Sequence, residues 1–268
     1  MNLGLMAFKL RQNYRTALYV TIGFLSFGLL MVAAYDAFDM QNMMGQMLQG
    51  GGEDIMRAML GTQGVLMWDV STFLAMAWRH PIILVILVGW AASLGSGYAA
   101  KEIGEKTADL LFARPMSRSK LLAHDLLVAG SLLFINTMLF SLSLYFGALS
   151  FGLNPPRLES FAIAGLQYFV FALAVLSIAY LLGAWAREGK VVVGAMGGLF
   201  AAMYTIELVG GLWDAVEPLK TFSLFTYLTP HAALTQNASA WTDLYVLLGV
   251  TTIAMSLSFV LMERRDLS

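Results

Sequence analysis

Six stretches of this sequence, each at least 19 residues long, hold a single Asp, Glu, Lys or Arg between them. They are 16–35, 81–100, 126–151, 160–186, 191–213 and 244–262, and the one charge is Glu207. A helix needs about 20 apolar residues to cross a bilayer, because only internally hydrogen-bonded backbone tolerates hydrocarbon. Composition agrees, with 59% of the 268 residues hydrophobic and 12% charged, about half the charged share of a soluble domain. Those figures exclude disorder. The absence of cysteine excludes a disulfide scaffold and thiolate-ligated metals. A net charge of −1 offers nucleic acid no basic surface. The expected fold class is all-α: one polytopic membrane domain over 1–268 with six transmembrane helices, at 16–35, 81–100, 121–151, 160–186, 191–213 and 244–262.

Val32-Ala33-Ala34 resembles a cleavage site behind a basic N-terminus. The apolar run before it is longer than the roughly 7–15 residues of a signal-peptide core, so it reads as a retained helix. Ahead of it, Leu3, Met6, Leu10 and Tyr14 fall on helical spacing beside Lys9, Arg11 and Arg15, which predicts an interfacial helix over 1–15. Lys and Arg then set the orientation. Twelve lie on the side of the termini and of 101–120, and four (Arg57, Arg79, Arg157, Lys220) lie on the other. Both termini are therefore expected in the cytoplasm, with 36–80 and 214–243 as the external segments.

Catalytic signatures are missing. The nearest string to a phosphate-binding loop, Gly183-Ala-Trp-Ala-Arg-Glu-Gly189-Lys190-Val191, has one residue too many and lacks the Mg-binding hydroxyl. His80, His124 and His231 are scattered, and neither H-E-x-x-H nor G-x-S-x-G occurs. No catalytic, cofactor or metal site is expected, and the sequon at Asn237 reads as chance. Met40, Met43, Met44 and Met47, followed by Met56 and Met59, suggest thioether ligands for Cu(I). The same spacing is the apolar face of an amphipathic helix. With Gly50-Gly51-Gly52 as a breaker, the preferred reading is two short external amphipathic helices between the first and second spans.

The most informative stretch is 101–120, KEIGEKTADLLFARPMSRSK. Thr107–Leu111 suits a short helix, Arg114-Pro115 ends it, and Ser117 or Ser119 can cap the next one. A short amphipathic helix rigidly joined to two spans can transmit movement from a cytoplasmic partner. A solvated loop fits the spacing equally well. A family resemblance separates the two. Glu102, Ile103, Lys106, Thr107, Leu110, Leu111, Pro115, Ser117 and Arg118 reproduce a pattern similar to the cytoplasmic signature of ABC-2 type transporter permeases. The tail Glu263-Arg-Arg-Asp266-Leu resembles the ending of that family, and His124-Asp125 departs from it where many relatives carry lysine.

The resemblance implies a permease subunit without catalytic activity of its own, working with a separate P-loop ABC ATPase that binds ATP and Mg. A second copy or a related permease would complete it in the lipid bilayer, in a bacterial plasma or inner membrane. Residues 101–120 would be the coupling helix, with Leu110, Leu111 and Phe112 seated in the ATPase and Glu102, Glu105, Thr107, Pro115 and Arg118 around them. An apolar permease suits a hydrophobic or amphipathic exported substrate. A secondary transporter or channel and a membrane assembly factor of the same fold remain the alternatives.

Two further features concern the spans. Gly194 and Gly198 form a G-x-x-x-G, and Gly89, Ser93 and Gly97 form a second small-residue stripe. Both are expected to pack helices together within the subunit. Glu207 lies about 24 Å along its helix from Val191, near the outer boundary. There it either lines an exit pathway or reaches the outer interface.

Overall fold

The computed structural model describes residues 3–38, 69–96 and 117–264. Among these residues all regular structure is helical. The elements are α1 (Leu3–Ala37), α2 (Val70–Arg79), α3 (Pro81–Ser96), α4 (Arg118–Ser150), α5 (Leu158–Gly183), α6 (Gly189–Gly210), α7 (Pro230–Leu234) and α8 (Ser239–Arg264). Two short 3-10 helices, Glu217–Phe222 and Leu224–Tyr227, lie between α6 and α7. Six helical units are long and apolar enough to cross a membrane: α1, α2 with α3, α4, α5, α6 and α8. Lys9 near the start of α1 meets Asp125 near the start of α4, and Ser119 meets Glu263 at the end of α8, so these helix ends lie together on one side, the termini face. The opposite side is the distal face.

α5 is the axis of the bundle. Of its most apolar stretch 67% is buried inside the protein, against 22% for α6 and for α8. It packs on α3, α4 and α8, and α1 packs on α4. Aromatic rings fill the centre. Trp78 meets Phe140 and Phe161, each at 5.9 Å, and Phe24 lies 5.3 Å from Phe140. These are edge and tilted contacts of the kind aromatic pairs prefer. Trp78 Nε1 donates to Ser141 Oγ at 3.2 Å, which satisfies an indole that would otherwise be buried with its proton unused.

The first two spans differ from expectation. Residues 3–15 do not form a separate interfacial helix but run without a break into the first span, giving one helix about 52 Å long. Within it Lys9 is turned into the bundle with 5% exposure, toward a carboxylate on α4. The second span starts at Val70 rather than at residue 81, because α2 is a buried arm leading into α3. Asp69 caps it, accepting the Thr72 amide at 2.9 Å. It ends at His80, whose extended backbone (ψ 127°) is what Pro81 imposes on the residue before it. The segment expected to be wholly external thus ends in a helix whose faces are almost all buried. The cap at Ser117 is as expected: its hydroxyl accepts the Lys120 amide at 3.4 Å, and α4 begins at Arg118.

The small-residue stripes also pack differently. Gly89, Gly194 and Gly198 have open space where a Cβ would point, and Ser93 is exposed, so these positions make no close helix contact among the described residues. The close approach falls on Gly95. A Cβ there would lie 2.6 Å from Ala179 Cβ and 3.1 Å from the Leu176 carbonyl, so only glycine lets α3 touch α5.

Candidate functional site

Charged side chains are scarce within the spans, so the two places where they gather define the polar chemistry of the bundle. The first lies toward the termini face. Lys9 Nζ of α1 is 3.2 Å from Asp125 Oδ1 of α4, with side-chain exposures of 7% and 9%. The hydroxyl of Tyr180, on α5, donates to the other carboxylate oxygen at 2.7 Å. Three helices thus converge on one carboxylate. A polar cavity of about 80 Å³ adjoins it, lined in part by Gln12, Asn13, Ser93 and Ser96. Nearby, Arg118 Nη1 reaches the Met262 carbonyl at 3.5 Å and Ser119 bonds Glu263. The start of α4 is therefore tied to the end of α8.

The second cluster lies toward the distal face. Arg79 closes α2, and its Nη2 donates to Glu207 Oε1 of α6 at 3.0 Å. Its Nη1 donates to the carbonyls of Phe225 and Leu228, at 2.9 and 2.8 Å. Lys220 Nζ stands 3.9 Å from the same Glu207 oxygen. Thr226 Oγ1 is 2.6 Å from Glu207 Oε2 and 2.6 Å from the Lys220 carbonyl, with one proton to donate between them. The guanidinium suits this site because its planar fork serves several acceptors at once. Irregular backbone near membrane depth survives only where its polar groups find partners inside the protein, and here Arg79 supplies them.

Gln167 of α5 completes the distal network. Its amide donates to the Tyr227 carbonyl at 3.2 Å and to Thr229 Oγ1 at 2.9 Å, and Thr229 Oγ1 donates to Asp243 at 2.6 Å. Above it, His231 Nε2 lies 3.3 Å from Thr72 Oγ1. Burial holds the His231 imidazole below its ordinary 6.5, partly offset by Asp69. For Asp69 burial acts upward, but hydrogen bonds from Ser71 and Thr72 and the charge of His231 together outweigh it and leave the carboxyl below its usual range.

Two apolar hollows face outward. A groove of about 770 Å³ runs along α4, α5 and α8. A cleft of about 440 Å³ separates α3 from α6, with Gly89 and Ala92 on one wall and Gly197 and Ala201 on the other. Toward the distal end of the cleft, where Pro81 and Thr205 lie, Phe225 joins the lining. Its ring sits 5.3 Å from Phe171, 5.9 Å from Phe200 and 5.4 Å from Tyr204.

Of the residues singled out in the sequence, Glu207 has the clearest place. It is 1% exposed, so it does not reach the outer interface but sits in the ion pair with Arg79. Arg118 marks the start of α4. Gly97, Glu102, Glu105, Thr107, Leu110, Leu111, Phe112 and Pro115, like the methionines at 40–59, lie outside the described residues. Sequence reasoning missed Arg79, Asp125 and Gln167 as partners. Arg79 stood next to His80-Pro81 and read as a loop cation.

The family model of the ABC-2 family transporter protein matches residues 9–267, and so takes in both charge clusters and all six spans. The chain belongs to the ABC-2 transporter family. Neither the curated proteins nor the solved structures gave a match. Membership makes this ABC-2 chain a membrane transport component rather than an enzyme in its own right. Among its described residues, no group of three or more His, Cys, Asp or Glu side chains is placed to hold a metal ion.

Proposed function

We propose that this ABC-2 chain is the permease subunit of an ATP-driven exporter of a hydrophobic or amphipathic substrate. It pairs with a second copy or a related permease and with a separate P-loop ATPase. The observation that carries this reading is the match over 9–267 in a chain with no phosphate-binding loop of its own. ATP, Mg and hydrolysis then belong to the partner, and the permease makes and breaks no covalent bond.

ATP binding shifts an equilibrium between inward-open and outward-open states, which requires contacts that differ between the two. Segment 101–120 is the docking element, with Leu110, Leu111 and Phe112 in a groove of the ATPase and Glu102, Glu105 and Arg118 on its rim. Twelve cations on the termini side against four opposite support a cytoplasmic placement of that segment in a bacterial plasma membrane. The open faces of Gly194 and Gly198 support close contact with another copy along α6. The reconstituted complex carrying Leu111→Asp with Phe112→Asp tests the docking assignment. ATP hydrolysis should be uncoupled from transport in this variant, and full coupled activity overturns it.

A further inference from the structure

Arg79 bridges a seam. Residues 217–226 are tied by hydrogen bonds to α6, with the Phe225 ring also resting on Phe171 of α5. Ser223 Oγ donates to the Met203 carbonyl at 3.1 Å, Thr226 reaches Glu207, and the Lys220 stem lies so close to Gly210 that a Cβ there would sit 2.7 Å from its Cγ. Residues 227–229 belong instead to α5, through Gln167. Arg79 holds the Phe225 carbonyl on one side of this seam and the Leu228 carbonyl on the other. Its third bond is to Glu207 on α6.

From this we infer that α6 and residues 217–226 form a movable outer gate over the α3–α6 cleft, and that Arg79 is the latch holding it shut. Arg79 is a positioning residue acting through the Phe225 backbone, which sets the Phe225 ring at the distal end of the cleft. Three observations make the unit movable. α6 is among the least buried spans, at 22%, so it has little packing to lose. The latch sits at the end of α2, one residue before the break at His80 and Pro81, so it is not rigidly continuous with α3. Lys220 travels with Glu207 and already stands 3.9 Å from it, so the carboxylate keeps a cation when the unit parts from Arg79. The carboxylate is thus not stranded, and Arg79 keeps the Leu228 carbonyl as an acceptor.

The gate rests on the transporter reading, but its test needs neither ATPase nor substrate. The chain contains no cysteine, so a single Ala92→Cys in the α3 wall of the cleft, at a position 1% exposed, reports there without background. In membranes exposed on the distal side to an impermeant thiol reagent, Ala92→Cys should label slowly. Adding Arg79→Gln should raise its rate at least ten-fold. Ala254→Cys, buried on α8 at 5% exposure, should keep its rate. An unchanged rate at position 92 overturns the latch, and so does an equal rise at 92 and 254, which would mean only a loosened fold. If Arg79→Gln does not assemble, Arg79→Lys decides by the same readout. Its ammonium keeps the charge and three donors, but on one nitrogen where the guanidinium uses two to span the carbonyls and the carboxylate, so the rate should rise at least three-fold. A protected position 92 in a chain that still co-purifies with an ATPase refutes the gate alone.

Discussion

Replacing Asp125 with alanine removes the one carboxylate on which α1, α4 and α5 converge. At the observed 3.2 Å and an effective dielectric of about 20, the attraction between Lys9 and Asp125 amounts to about 5 kcal/mol before desolvation is charged against it. Measured losses on deleting one partner of a buried pair are about 3–5 kcal/mol. The Tyr180 hydroxyl also loses an acceptor, since its 2.7 Å bond goes to the same group. For a chain of this size, a loss of 3–5 kcal/mol corresponds to a fall of about 6–20 °C in the unfolding midpoint. Thermal unfolding of the purified protein in detergent reads this directly. Lys9→Met should cost a similar amount. The double variant Lys9→Met with Asp125→Leu should cost far less than the two singles combined, because apolar residues of similar volume replace a buried pair at little cost. A double variant whose loss equals the sum would refute the coupling, and a single Asp125→Ala within 2 °C of the parent would refute the magnitude.

Other consequences are quicker to check. The Tyr168 hydroxyl is buried with no hydrogen-bond partner among the described residues, so Tyr168→Phe should be neutral or stabilising by about 1 kcal/mol, and a clear fall in the midpoint would contradict that. Gly95→Ala should destabilise by about 1–3 kcal/mol through overpacking against Ala179. Gly194→Ala, facing open space, should leave the monomer intact and weaken only self-association, as light scattering would report. The pH dependence of the distal face follows from His231. Its proton affinity is lowered in the folded protein, so its share of stability is complete above the ordinary 6.5 and is lost as pH falls through that value, while Asp69 stays charged. Protection of the α7 amides, corrected for the intrinsic pH dependence of exchange, should therefore fall between pH 7.5 and pH 5. His231→Gln should flatten that change, and an unaltered profile would discount His231 as its source.

How far the sequence reaches depends on what each feature requires. The spans were legible because run length alone forces them, and the capping of α4 by Ser117 was legible because a cap is local. α2 was not, since ten residues ending in Arg79, just before His80-Pro81, resemble the end of a loop. Its burial depends on Trp78 finding Phe140, Phe161 and Ser141 on helices distant in sequence. The same distance hid Lys9–Asp125 and Arg79–Glu207. Each charge was visible singly, and Asp125 even stood out as a departure from the family pattern, but pairing is a property of the packed bundle. The glycine stripes show the converse error. Spacing identifies a smooth helix face without saying what meets it, and the face that meets α5 carries Gly95 rather than Gly89.

The central claim is that this ABC-2 chain is a permease driven by a separate ATPase docked on 101–120. Its most direct test is the nucleotide hydrolysis of the tagged protein, extracted from its own membrane in mild detergent. The wild-type preparation should contain a P-loop ATPase in stoichiometric amount and hydrolyse ATP in step with transport once reconstituted, and the preparation carrying Leu111→Asp with Phe112→Asp should lose that coupling. A folded permease that purifies without any ATPase, or a double variant that keeps full coupled activity, would contradict the account.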